Sequence, residues 1–185
     1  MNAHPRPSLP RQPLAVLFDR DGTLVVDVPY NADPEQVVPT PGARAALDRL
    51  REAGLALAVV SNQSGLGRGY FTRAQMEAVN LRIEEILGPL GPWEICPHAP
   101  GDGCECRKPS PTLVRRAAQR LSLDTAECVV VGDMGTDMEA ARRAGAGCIL
   151  IPTPATRAED VTRAEIVARD LAHAVDVILG AGHST

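Results

Sequence analysis

The stretch L-A-V-L-F-D-R-D-G-T-L-V-V, Leu14 to Val26, opens as an apolar run and breaks abruptly into charge. Leu14 to Phe18 has no polar alternation, which is the pattern of a strand buried on both faces. Asp19 and Asp21 follow, one residue apart, and then Gly22 and Thr23. Carboxylates at the carboxyl end of a buried strand stand where open α/β sheets assemble their chemistry. In that setting Asp19 reads as a nucleophile and Asp21 as a general acid/base. Asp and Gly are also ordinary turn residues, so this stretch taken alone fits a polar turn equally well.

Working outward, the same pattern recurs. Leu55 to Val60 is a second apolar run and ends in Ser61-Asn62-Gln63-Ser64. Trp93 to Cys96 is a short third run, Cys128 to Val131 ends in Gly132-Asp133, and Cys148 to Ile151 comes last. Helical patterns separate the runs. Ala43, Ala46, Leu47 and Leu50 recur at helical spacing between Thr40-Pro41-Gly42 and Gly54. Thr72 with Gln75 forms a capping box ahead of a helix to about Leu87, whose inward face is Met76, Val79, Ile83 and Ile86. Ser110-Pro111 opens a third helix, Thr136 to Ala144 makes a fourth that stops at Gly145, and Asp170 caps a last amphipathic helix. Strands that alternate with helices and read as continuous apolar runs predict an α/β, doubly wound parallel sheet, Rossmann-like, with a minimal cap or none.

The bulk properties agree with one such domain. The 185 residues are 44% hydrophobic, with a net charge of −4. No basic cluster exceeds two residues, which argues against a nucleic-acid partner. No segment has the length of a membrane span, and the proline-rich start lacks the apolar core of a signal peptide. The expectation is a disordered lead-in over residues 1–12, a single domain over 13–180 and a frayed tail over 181–185, in a cytoplasmic monomer. The glycines of G-L-G-R-G, from Gly65 to Gly69, mark a loop that can pass close to a ligand.

A parallel sheet brings Asp19, Asp21, Ser61, Asn62 and Asp133 to one edge, and Lys108, just ahead of a helix, is a further candidate for it. Clustered carboxylates repel one another unless they hold a hard cation, and Mg2+ suits carboxylates with phosphate oxygens and water. The set fits phosphoryl transfer: a carboxylate attacks phosphorus to give an aspartyl-phosphate, while Ser61 and Lys108 donate to the equatorial oxygens. Asp137, four residues past Asp133, could bond Lys108 or the waters of a metal. It is equally explained as a helix-start acid favoured by the dipole.

Of the five cysteines, Cys128 and Cys148 sit in apolar runs as small core residues. The other three gather with a histidine: Cys96-Pro-His98, then Cys104-Glu-Cys106. Three thiolates and an imidazole make a closed Cys3His set for a structural Zn2+. Free thiols or a redox pair are the alternatives, although a reactive pair more typically reads C-x-x-C at a helix start. Zinc would pin a glycine-containing loop directly before Arg107 and Lys108.

The segments F-D-R-D-G-T, V-V-S-N-Q-S-G, C-R-K-P and V-V-G-D-M-G-T-D-M, in that order from Phe18 to Met138, resemble the four motifs of the haloacid dehalogenase superfamily of phosphatases. The resemblance implies that Asp19 is the nucleophile and that Asp21 protonates the leaving alkoxide and later activates water. It implies that Asp19, the backbone carbonyl of Asp21, and Asp133 bind Mg2+, with Ser61 and Lys108 on the phosphoryl group. The zinc loop with N-Q-S-G-x-x-R-G-x-F-T is similar to the D-glycero-D-manno-heptose 1,7-bisphosphate phosphatases, which implies removal of the C7 phosphate from that phosphorylated sugar. The short loop between His98 and Cys104, and Thr136-Asp137 in place of an acidic pair, look more like the histidinol-phosphate phosphatases. An inactive phosphosugar-binding or zinc module is the non-enzyme alternative, against which the intact acids, serine and lysine stand. On the heptose resemblance, Arg107 recognises the second phosphate or the sugar. The substrate-binding set is completed by Asn62, Gln63, Ser64, Arg68, Asp27 and Tyr30. Met134 departs from that branch, in which lysine often follows the metal-binding Asp.

Overall fold

In the computed structural model, which describes residues 9–180, the elements run in the order foreseen. They are β1 (Ala15–Phe18), α1 (Ala43–Glu52), β2 (Ala56–Asn62), α2 (Ser64–Gly67), α3 (Arg73–Leu87), β3 (Trp93–Cys96), α4 (Thr112–Arg120), β4 (Cys128–Gly132), α5 (Gly135–Ala144), β5 (Gly147–Leu150), α6 (Ala158–Arg163) and α7 (Leu171–Ile178). Two short 3-10 turns, Pro34–Gln36 and Thr125–Glu127, complete the set. The five strands form one sheet in the order β3-β2-β1-β4-β5, and every pairing is parallel. This is a doubly wound α/β sheet with helices on both faces. Among the described residues no segment folds into a cap.

The strand residues alternate between two cores because successive side chains point to opposite faces. Val16 and Phe18 of β1, Leu57 and Val59 of β2, and Val129 and Val131 of β4 pack under α1, α3 and α7. Ala15, Leu17, Ala58, Val60, Cys128 and Val130 face the other way, under α4 and α5. Burial on both sides explains why β1 reads as an unbroken apolar run: all four of its residues are fully buried. Each buried Val, Leu or Phe stabilises the sheet by roughly 1.5–3 kcal/mol, so the central strands are a rigid base for whatever their ends carry.

The helix boundaries follow the expected chemistry. Thr72 and Gln75 cap α3 reciprocally, with Gln75 N donating to Thr72 Oγ1 at 3.2 Å and Thr72 N donating to Gln75 Oε1 at 2.8 Å. Asp170 Oδ1 accepts from His173 N at 2.7 Å at the start of α7, and Gly145 ends α5 in the left-handed region. Two helices were not foreseen. G-L-G-R-G does not stay a loop throughout: Ser64 to Gly67 forms one turn, α2, on which the cysteine loop packs. A Cβ at Gly67 would lie 2.8 Å from Ala99 N, so glycine is what lets that loop approach. The other is α6, whose residues carry no apolar stripe and bury none of their side chains. No described helix is long and apolar enough to cross a membrane. Of the expected lead-in and tail, residues 1–8 and 181–185 lie outside the described residues, whereas Leu9 packs against the core.

Candidate active site

The order β3-β2-β1-β4-β5 reverses direction between β1 and β4, so the carboxyl ends of those two strands flank the switch point. Phe18 pairs with Val131, and Asp19 N donates to Val131 O at 2.9 Å, which carries Asp19 one step beyond the strand beside Gly132 and Asp133. Asp19 Oδ1 accepts from Arg20 N at 2.7 Å and lies 3.0 Å from Lys108 Nζ. Both donors fall on one oxygen, which leaves the other for an incoming group.

Lys108 is 3% exposed, and its ammonium sits at the centre of the site. It donates to Val60 O at 2.8 Å and lies 2.6 Å from Asp137 Oδ1 as well as against Asp19. Asp137 is 1% exposed, and its other oxygen accepts from Met134 N at 3.0 Å. Asp137 is therefore more than a helix-start charge: it is the buried counter-ion of the lysine. Asn62 pins the same residue by its backbone, accepting from Lys108 N at 3.0 Å and donating to Lys108 O at 3.2 Å. A nearly immobile ammonium follows.

Asp133 is 5% exposed. Thr153 Oγ1 donates to its Oδ2 at 3.3 Å and Thr156 Oγ1 to its carbonyl at 2.6 Å, so the loop after β5 holds it in place. Its Oδ1 is buried without a hydrogen bond, which is costly for a carboxylate unless a cation meets it. Oxygens of Asp19, Asp133 and Asp137 lie within 4.8 Å of one another. Since Asp137 is engaged by Lys108 and Met134, the oxygens left for a hard cation are those of Asp19 and Asp133, and the donor set fits Mg2+. Burial pushes Asp19 up to about 7, with Lys108 opposing and Asp137 and Asp21 adding to the rise. Burial, with Asp137 adding to it, pushes Asp133 up to about 6. Burial alone would pull Lys108 down, but Asp137 and Asp19 outweigh it and hold the ammonium above the usual lysine value.

Two glycines make room for these acids. A Cβ at Gly132 would fall 2.5 Å from Asp137 Cγ, and one at Gly22, whose φ is +76°, would fall 2.5 Å from Asp133 Oδ2. Gly22→Ala should therefore displace Asp133 and add left-handed strain of about 1 kcal/mol. The expected outcome is a drop in turnover of ~10²-fold, because displacements near 1 Å carry penalties of that order. Steady-state kinetics beside a thermal melt would check it, and wild-type turnover in a folded variant would contradict it.

Asp21 is placed differently from a metal ligand. Its carboxylate receives Arg20 Nε at 3.0 and 3.1 Å and Gln63 Nε2 at 2.7 Å. Gln63 Nε2 also donates to Ser61 Oγ at 2.9 Å, so the serine, 1% exposed, keeps its own proton for another acceptor. Arg20, Gln63 in this role and Asn80 are the parts that sequence patterns did not isolate. Only the glycines beside the strand ends hinted that something bulky must approach.

Above these groups opens a cleft of about 910 Å3 that reaches from Asp19 and Lys108 to Asp27, Tyr30 and Arg107. Ser64 and Met134 also line it. Asn62 and Gln63, expected to touch substrate, line it too, but their amides are engaged within the protein as described. Arg68 is the residue not brought to the cleft. It is exposed, with its guanidinium 6.0 Å from the ring of Tyr70. Tyr70 stacks edge-on against Tyr30 at 4.7 Å, a contact that ties the Asp27–Tyr30 loop to the turn after α2. Asp27 is raised from its ordinary value by burial and then by the charge of Asp21.

At the rim the four cysteine-loop residues converge. Cys96 Sγ lies 3.7 Å from Cys104 Sγ and 3.6 Å from His98 Nδ1, which is 3.3 Å from Cys106 Sγ. A tetrahedron with metal–sulfur bonds of ~2.3 Å has sulfur–sulfur edges of about 3.8 Å, so the cluster has the dimensions of a zinc site. Burial pushes the Cys96 thiol up to about 12, a strong bias toward the neutral form that a bound cation would reverse. Arg107 Nη1 donates to His98 O at 3.3 Å, which fastens the residue before Lys108 onto this loop.

Residues 105–175 match the family model described as "HAD-hyrolase-like". The chain is 37% identical over 143 residues to the D-glycero-beta-D-manno-heptose-1,7-bisphosphate 7-phosphatase of Pseudomonas aeruginosa, covering 75% of this chain and 80% of that one. It is 35% identical over 177 residues to the protein of the same name from Haemophilus ducreyi, covering 89% and 97%. The crystal structure of D,D-heptose 1,7-bisphosphate phosphatase from Bordetella bronchiseptica, complexed with magnesium and phosphate, superposes with a TM-score of 0.79 at 30% identity, covering 90% and 99%.

Proposed function

Because the chain belongs to the HAD-like hydrolases, in the family of the D-glycero-beta-D-manno-heptose-1,7-bisphosphate 7-phosphatases, we propose that it removes the C7 phosphate of that heptose bisphosphate through an aspartyl-phosphate on Asp19. One observation carries the reading. A buried nucleophilic carboxylate, a second acid two residues on, and a pinned ammonium share the floor of a cleft wide enough for a phosphosugar.

Asp19 attacks phosphorus while Ser61 and Lys108 donate to the equatorial oxygens, where transition-state charge collects. Asp21 gives a proton to the departing C7 oxygen and then takes one from the water that hydrolyses the acyl phosphate. Mg2+, held by Asp19, the backbone carbonyl of Asp21, and Asp133, would neutralise the charge gathered between phosphate and carboxylates. Arg107, which lines the cleft together with Asp27, Tyr30 and Ser64, takes the distal phosphate or sugar.

The structural role of Zn2+ rests on the four-residue cluster. Freshly purified protein should carry one zinc per chain, and Cys106→Ser should lower both zinc content and turnover. Element analysis that finds no zinc in the active protein would remove the metal from the account. Three reduced thiolates also support a cytoplasmic setting.

The functional test is phosphate release from heptose 1,7-bisphosphate, histidinol phosphate and 4-nitrophenyl phosphate, with Mg2+ present and after chelation. The expected order of kcat/KM puts heptose bisphosphate first, with all turnover dependent on Mg2+. A preference for histidinol phosphate would reassign the substrate, and no turnover of any of the three would sink the enzymatic reading.

A further inference from the structure

We infer that Arg20 and Gln63 are positioning residues for Asp21, a buried brace that fixes the acid/base carboxylate against the phosphate-binding serine. The inference rests on the assignment of Asp21 above.

Arg20 lies between the two acids in sequence, yet its side chain is 3% exposed. Each of its three guanidinium nitrogens is engaged within the protein. Nε lies 3.0 and 3.1 Å from the two oxygens of Asp21, Nη1 donates to Asn80 Oδ1 at 3.0 Å, and Nη2 donates to Gln63 Oε1 at 2.9 Å. A guanidinium can only donate, so the last contact orients the amide of Gln63. Its Oε1 must face Arg20, which leaves Nε2 to donate to Asp21 Oδ2 at 2.7 Å and to Ser61 Oγ at 2.9 Å. Gln63 is itself 5% exposed. The result is a closed chain of contacts, Asn80–Arg20–Asp21–Gln63–Ser61, anchored in α3 at one end and at the end of β2 at the other.

A free aspartate side chain rotates among several orientations, and only one of them can present a proton to a leaving oxygen. Two donors on Asp21 from different segments remove that freedom before substrate arrives, which is the kind of support a reacting group needs from its surroundings. The brace also links general acid and phosphate donor, so Asp21 and Ser61 keep a constant relation. A guanidinium placed only to offset the charge of nearby acids would not need its outer nitrogens matched to Asn80 and Gln63.

The test separates leaving groups. A sugar alkoxide needs a proton to depart and a nitrophenolate does not, so a misplaced acid hurts the first substrate selectively. The full-length variants Arg20→Met, Gln63→Met and Asn80→Leu are compared with Asp21→Asn on heptose 1,7-bisphosphate and on 4-nitrophenyl phosphate. The quantity read is kcat/KM, which reports the steps up to departure of the leaving group. For Arg20→Met the expected loss is ~10²-fold on the heptose bisphosphate and under ~5-fold on the aryl phosphate, within the usual range for general-acid catalysis. Inhibition by the product heptose 1-phosphate should stay within about threefold, because the brace does not bind the sugar. Gln63→Met should show the same selectivity at roughly tenfold. Arg20→Lys should not rescue, since an ammonium cannot span three partners as the guanidinium fork does.

Equal losses on both substrates, or a loss carried by weaker product inhibition, would overturn the positioning role. If Arg20→Met fails to fold, Asn80→Leu removes only the outer anchor, and the absence of any selective loss there would overturn it as well. A selective loss in Asp21→Asn without one in the Arg20 and Gln63 variants would refute the brace alone. No selective loss in Asp21→Asn would refute the acid assignment beneath it.

Discussion

Asp19→Asn should abolish turnover while leaving the chain folded. The substitution keeps the shape of the side chain but removes the charged oxygen that attacks phosphorus, and the loss should be ~10⁴-fold or more. Folding should survive for a local reason. Asp19 Oδ1 accepts from Arg20 N and faces Lys108 Nζ, and an amide oxygen can accept from both. Burial already pushes the Asp19 carboxyl up to about 7, so its charge is an expense to the metal-free fold rather than a support. The variant should therefore melt at least as high as the parent in metal-free buffer at pH 8. Kinetics and a thermal melt on the same preparation decide the matter: appreciable residual turnover would remove Asp19 as nucleophile.

Lys108→Met should be the most damaging single change to stability, and it should slow turnover as well. Its ammonium is bracketed by Asp137 Oδ1 at 2.6 Å, Val60 O at 2.8 Å and Asp19 Oδ1 at 3.0 Å, with almost no solvent. Removing it leaves two buried carboxylates facing each other without a counter-charge, which costs about 3–5 kcal/mol when one partner of a buried pair is deleted. The phosphoryl group also loses a donor, so turnover in whatever remains folded should fall by ~10³-fold. Lys108→Arg should not restore it, because a planar fork cannot occupy a pocket built for a compact ammonium. Adding Mg2+ should return part of the lost stability, since the cation offsets Asp19, one of those two carboxylates. Urea titration with and without Mg2+ measures this, and a loss under about 1 kcal/mol would show that the ion pair matters little to the fold.

How much of this could be read from residues alone depended on whether a feature was local. Leu14–Phe18 and Cys128–Val131 announced themselves because both faces of a central parallel strand are buried, which leaves an apolar run with a polar end. The capping box at Thr72 and the stop at Gly145 were equally plain, since caps are short-range chemistry. The cysteine loop was legible because its four ligands fall within eleven residues of sequence. By contrast, α6 lacks any apolar periodicity, and α2 is a single turn written in glycines, so neither carries a helical pattern. At the site, Asp19, Asp133 and Lys108 were legible as strand-end and helix-start chemistry. What was not legible were the contacts across the site: which of its two readings Asp137 would take, and the internal hydrogen bonds that the amides of Asn62 and Gln63 make. Those depend on which side chain lies opposite which, and spacing along a chain does not encode it. Arg68 sits inside the same telling motif, yet the fold places its guanidinium by the ring of Tyr70.

Phosphorus NMR of a single reaction decides which phosphate reaches Asp19. Heptose 1,7-bisphosphate is incubated with the Mg2+-loaded protein, and the two phosphomonoester resonances are followed together with inorganic phosphate. The expected result is loss of the C7 resonance in step with the rise of inorganic phosphate, while the C1 resonance persists as heptose 1-phosphate. Loss of the C1 resonance instead, or two resonances that stay unchanged beside fully folded and metal-loaded protein, would contradict it.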